Sequence, residues 1–284
     1  MGKSIYEPPM QDTLAGLRRW RLVQDNSGPF RVYRDSKGEI YHSVTHILSE
    51  TSDKSGLVRW EARLGPKEAA QQRNVAATRG NQAHSQAEYF LKTSMQLARS
   101  AANRRNAIKF DEQGLARIPP PITKWAMDRV YPKLPKVGWS ASGYARGLNE
   151  WIKENCTGLF ASEFSIHHPA GFAGTCDALV SLGNHKNLPD GSLVLCDWKT
   201  SVGKKTDEND RLPSSHSYIA QAGAYSLGLK HMCPSLKPTG AAIVLARRCG
   251  APNVHYMTQD ELIQAEDSFL ARVVTYFQNL EIPA

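Results

Sequence analysis

The chain has little of what a metal-cluster, secreted or membrane protein needs. Its five cysteines, at positions 156, 176, 196, 233 and 249, include no C-x-x-C pair. No zinc or iron–sulfur framework is therefore expected. Odd in number, they read as free thiols of a reducing, cytoplasmic compartment, and Cys176 and Cys196 sit in apolar runs where a thiol behaves as a small hydrophobe. No stretch approaches the ~18 apolar residues of a membrane span. Residues 1–9 carry a lysine and a glutamate but no apolar core, so no export signal or membrane partner is expected. Internal repeats are absent.

Charge of one sign is present in excess. Against 27 Asp and Glu stand 35 Lys and Arg, giving a net charge of +8 and a pI near 9.2. Such a balance suits a polyanionic partner without proving one. The basic residues fall in short clusters, including Arg18-Arg19-Trp20-Arg21, Arg104-Arg105, Lys204-Lys205 and Arg247-Arg248, which describes a folded surface with basic patches and not a charged tail. With 284 residues, 41% of them hydrophobic, the chain can bury one large core. A single unit over 1–284 is expected: an N-terminal hairpin region at 1–42, a helical region at 43–155 and a core at 156–284.

Strand-type alternation over 30–42 brackets an Asp35-Ser36-Lys37-Gly38 turn and predicts a β-hairpin. Ser43 then fits the N-cap of a helix. Helical spacing covers 57–64 and 66–91, broken at Gly65-Pro66, where proline suits a first turn. Residues 93–121, ending in Pro119-Pro120-Pro121, lose the pattern and read as a protruding insertion. A helix at 140–155, strands at 159–167, 172–182 and 192–200, a polar loop at 203–213, a helix at 214–231, strands at 240–246 and 254–257, and a helix at 259–280 complete the order. That order predicts an α/β core with a mixed sheet.

The chemistry gathers at Asp197-Trp198-Lys199-Thr200-Ser201, after the apolar run Leu193-Val194-Leu195-Cys196. Alternation places Asp197 and Lys199 on one side of the strand and Trp198 on the other. A lone Asp-x-Lys is ordinarily a strand-end ion pair. Asp177, within Ala173-Gly174-Thr175-Cys176-Asp177-Ala178-Leu179, supplies a second carboxylate if its strand is the neighbour. Two acids and an ammonium make the layout of a metal-dependent phosphodiesterase. Phosphodiester hydrolysis needs on the order of 20 kcal/mol of transition-state stabilisation, which a lysine alone cannot provide; a divalent ion contributes several kcal/mol both by activating its water and by neutralising charge. Asp177, Asp197 and the Trp198 carbonyl are the expected oxygen ligands, with Lys199 holding or deprotonating water and offsetting charge. His84 and Glu88, four apart after Gly80, share a helical face, and imidazole brings Mn²⁺ into range beside Mg²⁺. Gln221 and Tyr225 share another face, suited to a phosphate oxygen or to steadying Lys199. Singly, each of these is an unremarkable residue; the ordered set carries the specificity.

That set resembles the PD-(D/E)XK nuclease superfamily, and within it the RecB-type exonucleases, through Gly80-x-x-x-His84, Gly174-Thr175-Cys176-Asp177, Asp197-Trp198-Lys199-Thr200-Ser201 and Gln221-x-x-x-Tyr225. Ser43-Val44-Thr45-x-Ile47-Leu48 and Ser162-Glu163 look most like the mitochondrial genome maintenance exonuclease group with its bacterial and phage relatives. The resemblance implies a restriction-endonuclease-like fold, a central mixed sheet flanked by helices with a helical cap or arch. It implies His84, Asp177, Asp197 and the Trp198 carbonyl as ligands of Mg²⁺ or Mn²⁺, Lys199 as catalytic lysine, Glu88 and Glu163 as auxiliary acids, and no iron–sulfur cluster. Ser43, Thr45, Thr200, Ser201, Gln221 and Tyr225 would face substrate. The implied activity is exonucleolytic cleavage of single-stranded DNA by a monomer in a bacterial or phage-infected cell; an endonuclease or resolvase, or a silent DNA-binding module, are the rivals. If about five phosphates are neutralised, log affinity for single strands falls against log salt with a slope of roughly −3.5. Fluorescence anisotropy across a salt series measures that slope, and a flat dependence contradicts a strand ligand.

Overall fold

The structure is a computed structural model that describes residues 22–110, 115–183, 185, 188–201 and 215–281. The polar loop expected at 203–213 lies outside the described residues, as do the basic residues at 18–21 and 204–205. Three short strands open the described chain: β1 (Val23–Asp25), β2 (Val32–Arg34) and β3 (Ile40–Ser43). The expected hairpin is there, closed by Asp35, whose Oδ1 accepts from the Lys37 and Glu39 amides (2.8 and 2.9 Å). Helices α1 (Val44–Glu50), α2 (Ser55–Leu64) and α3 (Pro66–Arg104) follow. Ser43 takes the N-cap position of α1, but its hydroxyl bonds to Thr45 Oγ1 (2.8 Å) and makes no cap to the backbone.

Residues 93–121 depart from the expected protruding insertion. The first twelve complete α3, which runs 39 residues; β4 (Lys109–Phe110) and β5 (Ala116–Arg117) then pair, and α4 (Pro120–Val130) begins within the proline run. Ala98, Ala101 and Ala102 of α3 are buried against Ile122 and Ala126 of α4. Alanine packs helices closely yet adds little to a hydrophobic period, so the pattern fades where the helix continues. Pro120 occupies the first turn of α4, where its missing N–H has no partner to lose.

The remaining elements match their expected order: α5 (Trp139–Asn155), β6 (Cys156–His168), β7 (Phe172–Leu182), β8 (Leu193–Thr200), α6 (Ser215–Met232), β9 (Gly240–Ala246), β10 (Asn253–Met257) and α7 (Gln259–Glu281). One mixed sheet holds all strands except β4 and β5, in the order β1-β2-β3-β7-β8-β9-β10 with β6 on β7. Leu193, Leu195, Ile243 and Leu245 face a layer of α1, α6 and α7. Val194, Cys196, Trp198, Ala242 and Val244 face α3 and α5. Both faces are covered, so β8 and β9 read as unbroken apolar runs. All five cysteines are free, and four are buried. Among the described residues no helix is long and apolar enough to cross a membrane.

Crossing of α6 over α7 depends on Gly223, since a Cβ there would fall on the Ala265 carbonyl and the Glu266 amide. Glu266 is tied across the same crossing, accepting from Ser226 Oγ and Lys230 Nζ at 2.6 Å each. Gly223→Ala is expected to destabilise the protein by about 1–3 kcal/mol through overpacking. A lower urea midpoint at unchanged slope checks this; an unchanged midpoint contradicts the close approach.

Candidate active site

Strand β7 has one edge paired along its whole length with β6. Its other edge is shared. Parallel β3 takes Phe172 and Ala173, and antiparallel β8 takes Ala178 to Ser181. Residues 174–177 lie between these partners, where β3 has already turned into α1. Gly174 makes that turn possible, because a Cβ would stand 2.8 Å from the Tyr225 ring and 3.3 Å from Val44. The candidate site lies at this fork.

Asp177 bridges the fork. Its Oδ2 accepts the Trp198 N–H at 2.6 Å, and its Oδ1 lies 3.3 Å from His84 Nδ1. In a strand the N–H and C=O of one residue point the same way, so the Trp198 carbonyl is directed into the same opening. The Trp198 ring goes to the other side, 1% exposed and edge-on to Trp151. Asp197 and Lys199 share the face of Leu195, as alternation predicts. Asp197 Oδ2 is 2.6 Å from Lys199 Nζ. Gln221 completes this group from α6: its Nε2 donates to Asp197 Oδ1 (3.1 Å) and to the Tyr225 hydroxyl (2.6 Å), and its Oε1 accepts from Lys199 Nζ (3.1 Å). Lys199 Nζ also lies 5.0 Å from the Tyr218 ring centroid.

Donor atoms of His84, Glu163 and Asp177 lie within 4.8 Å of one another. Glu163 enters from β6, opposite Asp177 where the ladder passes from Ser162↔Ala178 to Phe164↔Cys176. Its φ of 49° is left-handed, in the middle of a 13-residue strand. A non-glycine residue adopts that conformation against a steric penalty, and such strain collects at functional sites. The twist delivers the carboxylate to the fork. From the sequence Glu163 is expected only as an auxiliary acid; φ has no signature in residue type, so its place in the cluster is not legible there.

Among the described residues, all the charges of the fork but one are in ion pairs. Burial pushes the His84 imidazole down, but the hydrogen bond and charge of Asp177 overcome it and the pKa is raised. Burial likewise opposes ionisation of Asp177, and His84, Lys199 and the Trp198 amide nevertheless hold it below the usual carboxylate range. Asp197 is raised by its burial, with Lys199 working against the rise. Lys199 is lowered by burial but raised overall by Asp197 and Asp177, so it is an ammonium at neutral pH. Glu163 is pushed up to about 7 by burial and by the charges of Asp177 and Glu88. Glu88 is itself paired with Lys92. Among the described residues Glu163 is thus the acid without an ion pair. A divalent cation would supply the missing charge, and two carboxylates with one imidazole suit Mg²⁺ or Mn²⁺.

Other expected residues fall at different distances from this centre. Thr200 stands beside α3, its Oγ1 3.4 Å from where a Gly80 Cβ would be. Ser201 bonds through its amide to the Ala246 carbonyl (3.2 Å). Ser43 is buried with its hydroxyl held by Thr45, so only Thr45 is exposed. Glu88 remains outside the cluster and acts on it through charge. The sequence model of the PD-(D/E)XK nuclease superfamily matches residues 56–281, a span that includes His84, Glu163, Asp177, Asp197, Lys199 and Gln221. The chain belongs to the PD-(D/E)XK nuclease superfamily. Comparison with curated protein sequences finds no match. Fold and cluster together fit metal-dependent nuclease chemistry.

If the cluster holds the ion, calorimetric titration with Mn²⁺ gives Asp177→Asn and Glu163→Gln affinities lower by about tenfold or more, while Glu88→Gln stays near the parent value. Equal affinities in all four proteins would place the ion elsewhere.

Proposed function

We propose that the protein is a RecB-type exonuclease that hydrolyses single-stranded DNA from a free end, acting as a single catalytic unit. The observation that carries the nuclease reading is the juxtaposition of the His84, Glu163 and Asp177 cluster with an ammonium, Lys199, locked by Asp197 and Gln221. His84, Glu163 and Asp177 would hold the divalent ion, with Asp197 and the Trp198 carbonyl as further oxygen donors. When bound, such an ion polarises the phosphoryl group and makes water a better nucleophile.

Side chains around it have separable tasks. Lys199, kept protonated by two neighbouring acids, holds a phosphoryl oxygen and offsets the charge gained in the transition state. Gln221 fixes Lys199 and Asp197 relative to one another, and Tyr225 anchors Gln221. Thr45, Thr200 and Ser201 offer hydroxyl and amide groups to the backbone of the strand.

A nucleic-acid substrate is supported by the net charge of +8; preference for single strands with ends is supported by the likeness of the motif set to RecB-type exonucleases and by the way α2 stands off the core with no buried residue. The rival readings separate by substrate topology and by activity. Lys199→Ala is expected to reduce cleavage by a factor on the order of 10³ while strand binding is largely kept. Linear single-stranded DNA is degraded and its circular form left intact. Cleavage of the circle would assign an endonuclease, and unchanged Mn²⁺-dependent cleavage by Lys199→Ala would remove the mechanism. Following end-labelled strands with time gives both readouts.

A further inference from the structure

The N-terminal half of α3 carries a buried cation that the catalytic cluster does not use. Arg79 is only 8% exposed. Its Nε has no hydrogen-bond partner, and among the described residues no carboxylate forms an ion pair with it. The guanidinium instead lies over Tyr144, with Cζ 4.8 Å from the ring centroid. A desolvated charge without a counter-charge is unfavourable, and an anion is the partner it lacks.

Arg79 lines a pocket of about 520 Å³ with Trp60, Glu68, Arg73, Val75 and Ala76. Arg73 is already paired with Glu61, and Glu68 accepts from the Gln72 amide at 3.0 Å. Arg79 is therefore the uncommitted cation of this pocket among the described residues. Trp60 adds an aromatic ring, one side of which has the Arg73 guanidinium 6.0 Å from its centroid and the other side of which is left for a base, and Val75 and Ala76 add apolar wall. Cation, ring and apolar wall together match one nucleotide. A guanidinium fork suits a phosphate, and an aromatic face stacks on any base.

Position connects the pocket to the fork. Ala76, Gly80 and His84 are four apart and share one face of α3, with Ala76 about 12 Å from His84 at 1.5 Å per residue. Gly80, between them, packs against Thr200. A strand lying along this face would reach from the pocket past Thr200 to the cluster.

We propose that the pocket between α2 and α3 is a nucleotide subsite of the strand path, in which Arg79 takes a backbone phosphate and Trp60 stacks on the adjoining base. It rests on the nuclease reading above and extends it to Arg79, five residues before His84 on α3, and to Trp60 on α2.

The test uses Lys199→Ala protein as the non-cutting parent and a fluorescein-labelled single-stranded oligonucleotide, read by anisotropy across a salt series. Adding Arg79→Met is expected to weaken binding about tenfold and to make the log affinity against log salt slope shallower by about 0.7, one phosphate contact. Arg79→Lys keeps the slope. Trp60→Ala weakens binding about fivefold or more with the slope unchanged. Because Trp60 belongs to a helix with no buried residue, that variant keeps the test open if Arg79→Met fails to fold. An unaltered slope in folded Arg79→Met, or unaltered affinity in Trp60→Ala, overturns the subsite. So does inorganic phosphate that binds the parent but not Arg79→Met while oligonucleotide affinity is the same in both, which would assign the pocket to free phosphate. A parent that binds no strand contradicts the nuclease reading itself; a parent that binds but is indifferent to Arg79 and Trp60 contradicts the subsite alone.

Discussion

A single carboxylate ties together the three elements on which the site depends. Asp177 sits where β7 loses one partner and gains another, and its two oxygens go in different directions, one to the backbone of β8 and one to the imidazole on α3. The first bond takes the place of a ladder bond beyond the last β7–β8 pair, Ala178↔Cys196. It holds the fork open at a fixed splay and directs the Trp198 carbonyl into it. The second bond brings a helix from the opposite layer into register with the sheet. Without Asp177, His84 and Lys199 would belong to separate parts of the molecule.

Charge in the fork follows from that arrangement. His84 answers Asp177, and Lys199 answers Asp197 with Gln221 and Tyr225 behind it. Glu163 is brought in by a strained backbone and forms no ion pair among the described residues. A fold that places a strained residue so that its acid faces another acid is arranged for a ligand that repays both the strain and the repulsion. A divalent cation does so, and the acid pushed up to about 7 is the one it would relieve.

Much of this could be read from residue order, for reasons that are local. Alternation in a strand is a property of the backbone, so Asp197 and Lys199 had to share a face and Trp198 had to leave it. Gly171 and Gly191, residues of the kind that turns favour, are left-handed with φ of 84° and 77° just before β7 and β8. Other features depend on partners distant in sequence. The shared edge of β7 joins residues near 43, 172 and 196, and nothing in any one of those segments announces the fork. Asp197 was expected beside Asp177 as an equivalent ligand, yet the two acids differ: one faces His84 and Glu163, the other is taken by Lys199 and Gln221. The length of α3 was masked by alanines, and α4 by a proline run that reads as a loop until its packing partner is known. Arg79 has no local mark at all, since only burial without a partner distinguishes it from other arginines.

The central claim is that His84, Glu163 and Asp177 surround one divalent ion at the fork in β7. Anomalous diffraction from crystals soaked in Mn²⁺ tests it most directly. The account predicts one strong peak about 2.0–2.3 Å from a donor atom of each of the three residues, distances ordinary for such ions. A peak held by other residues, with Glu163 left outside the coordination, would contradict it.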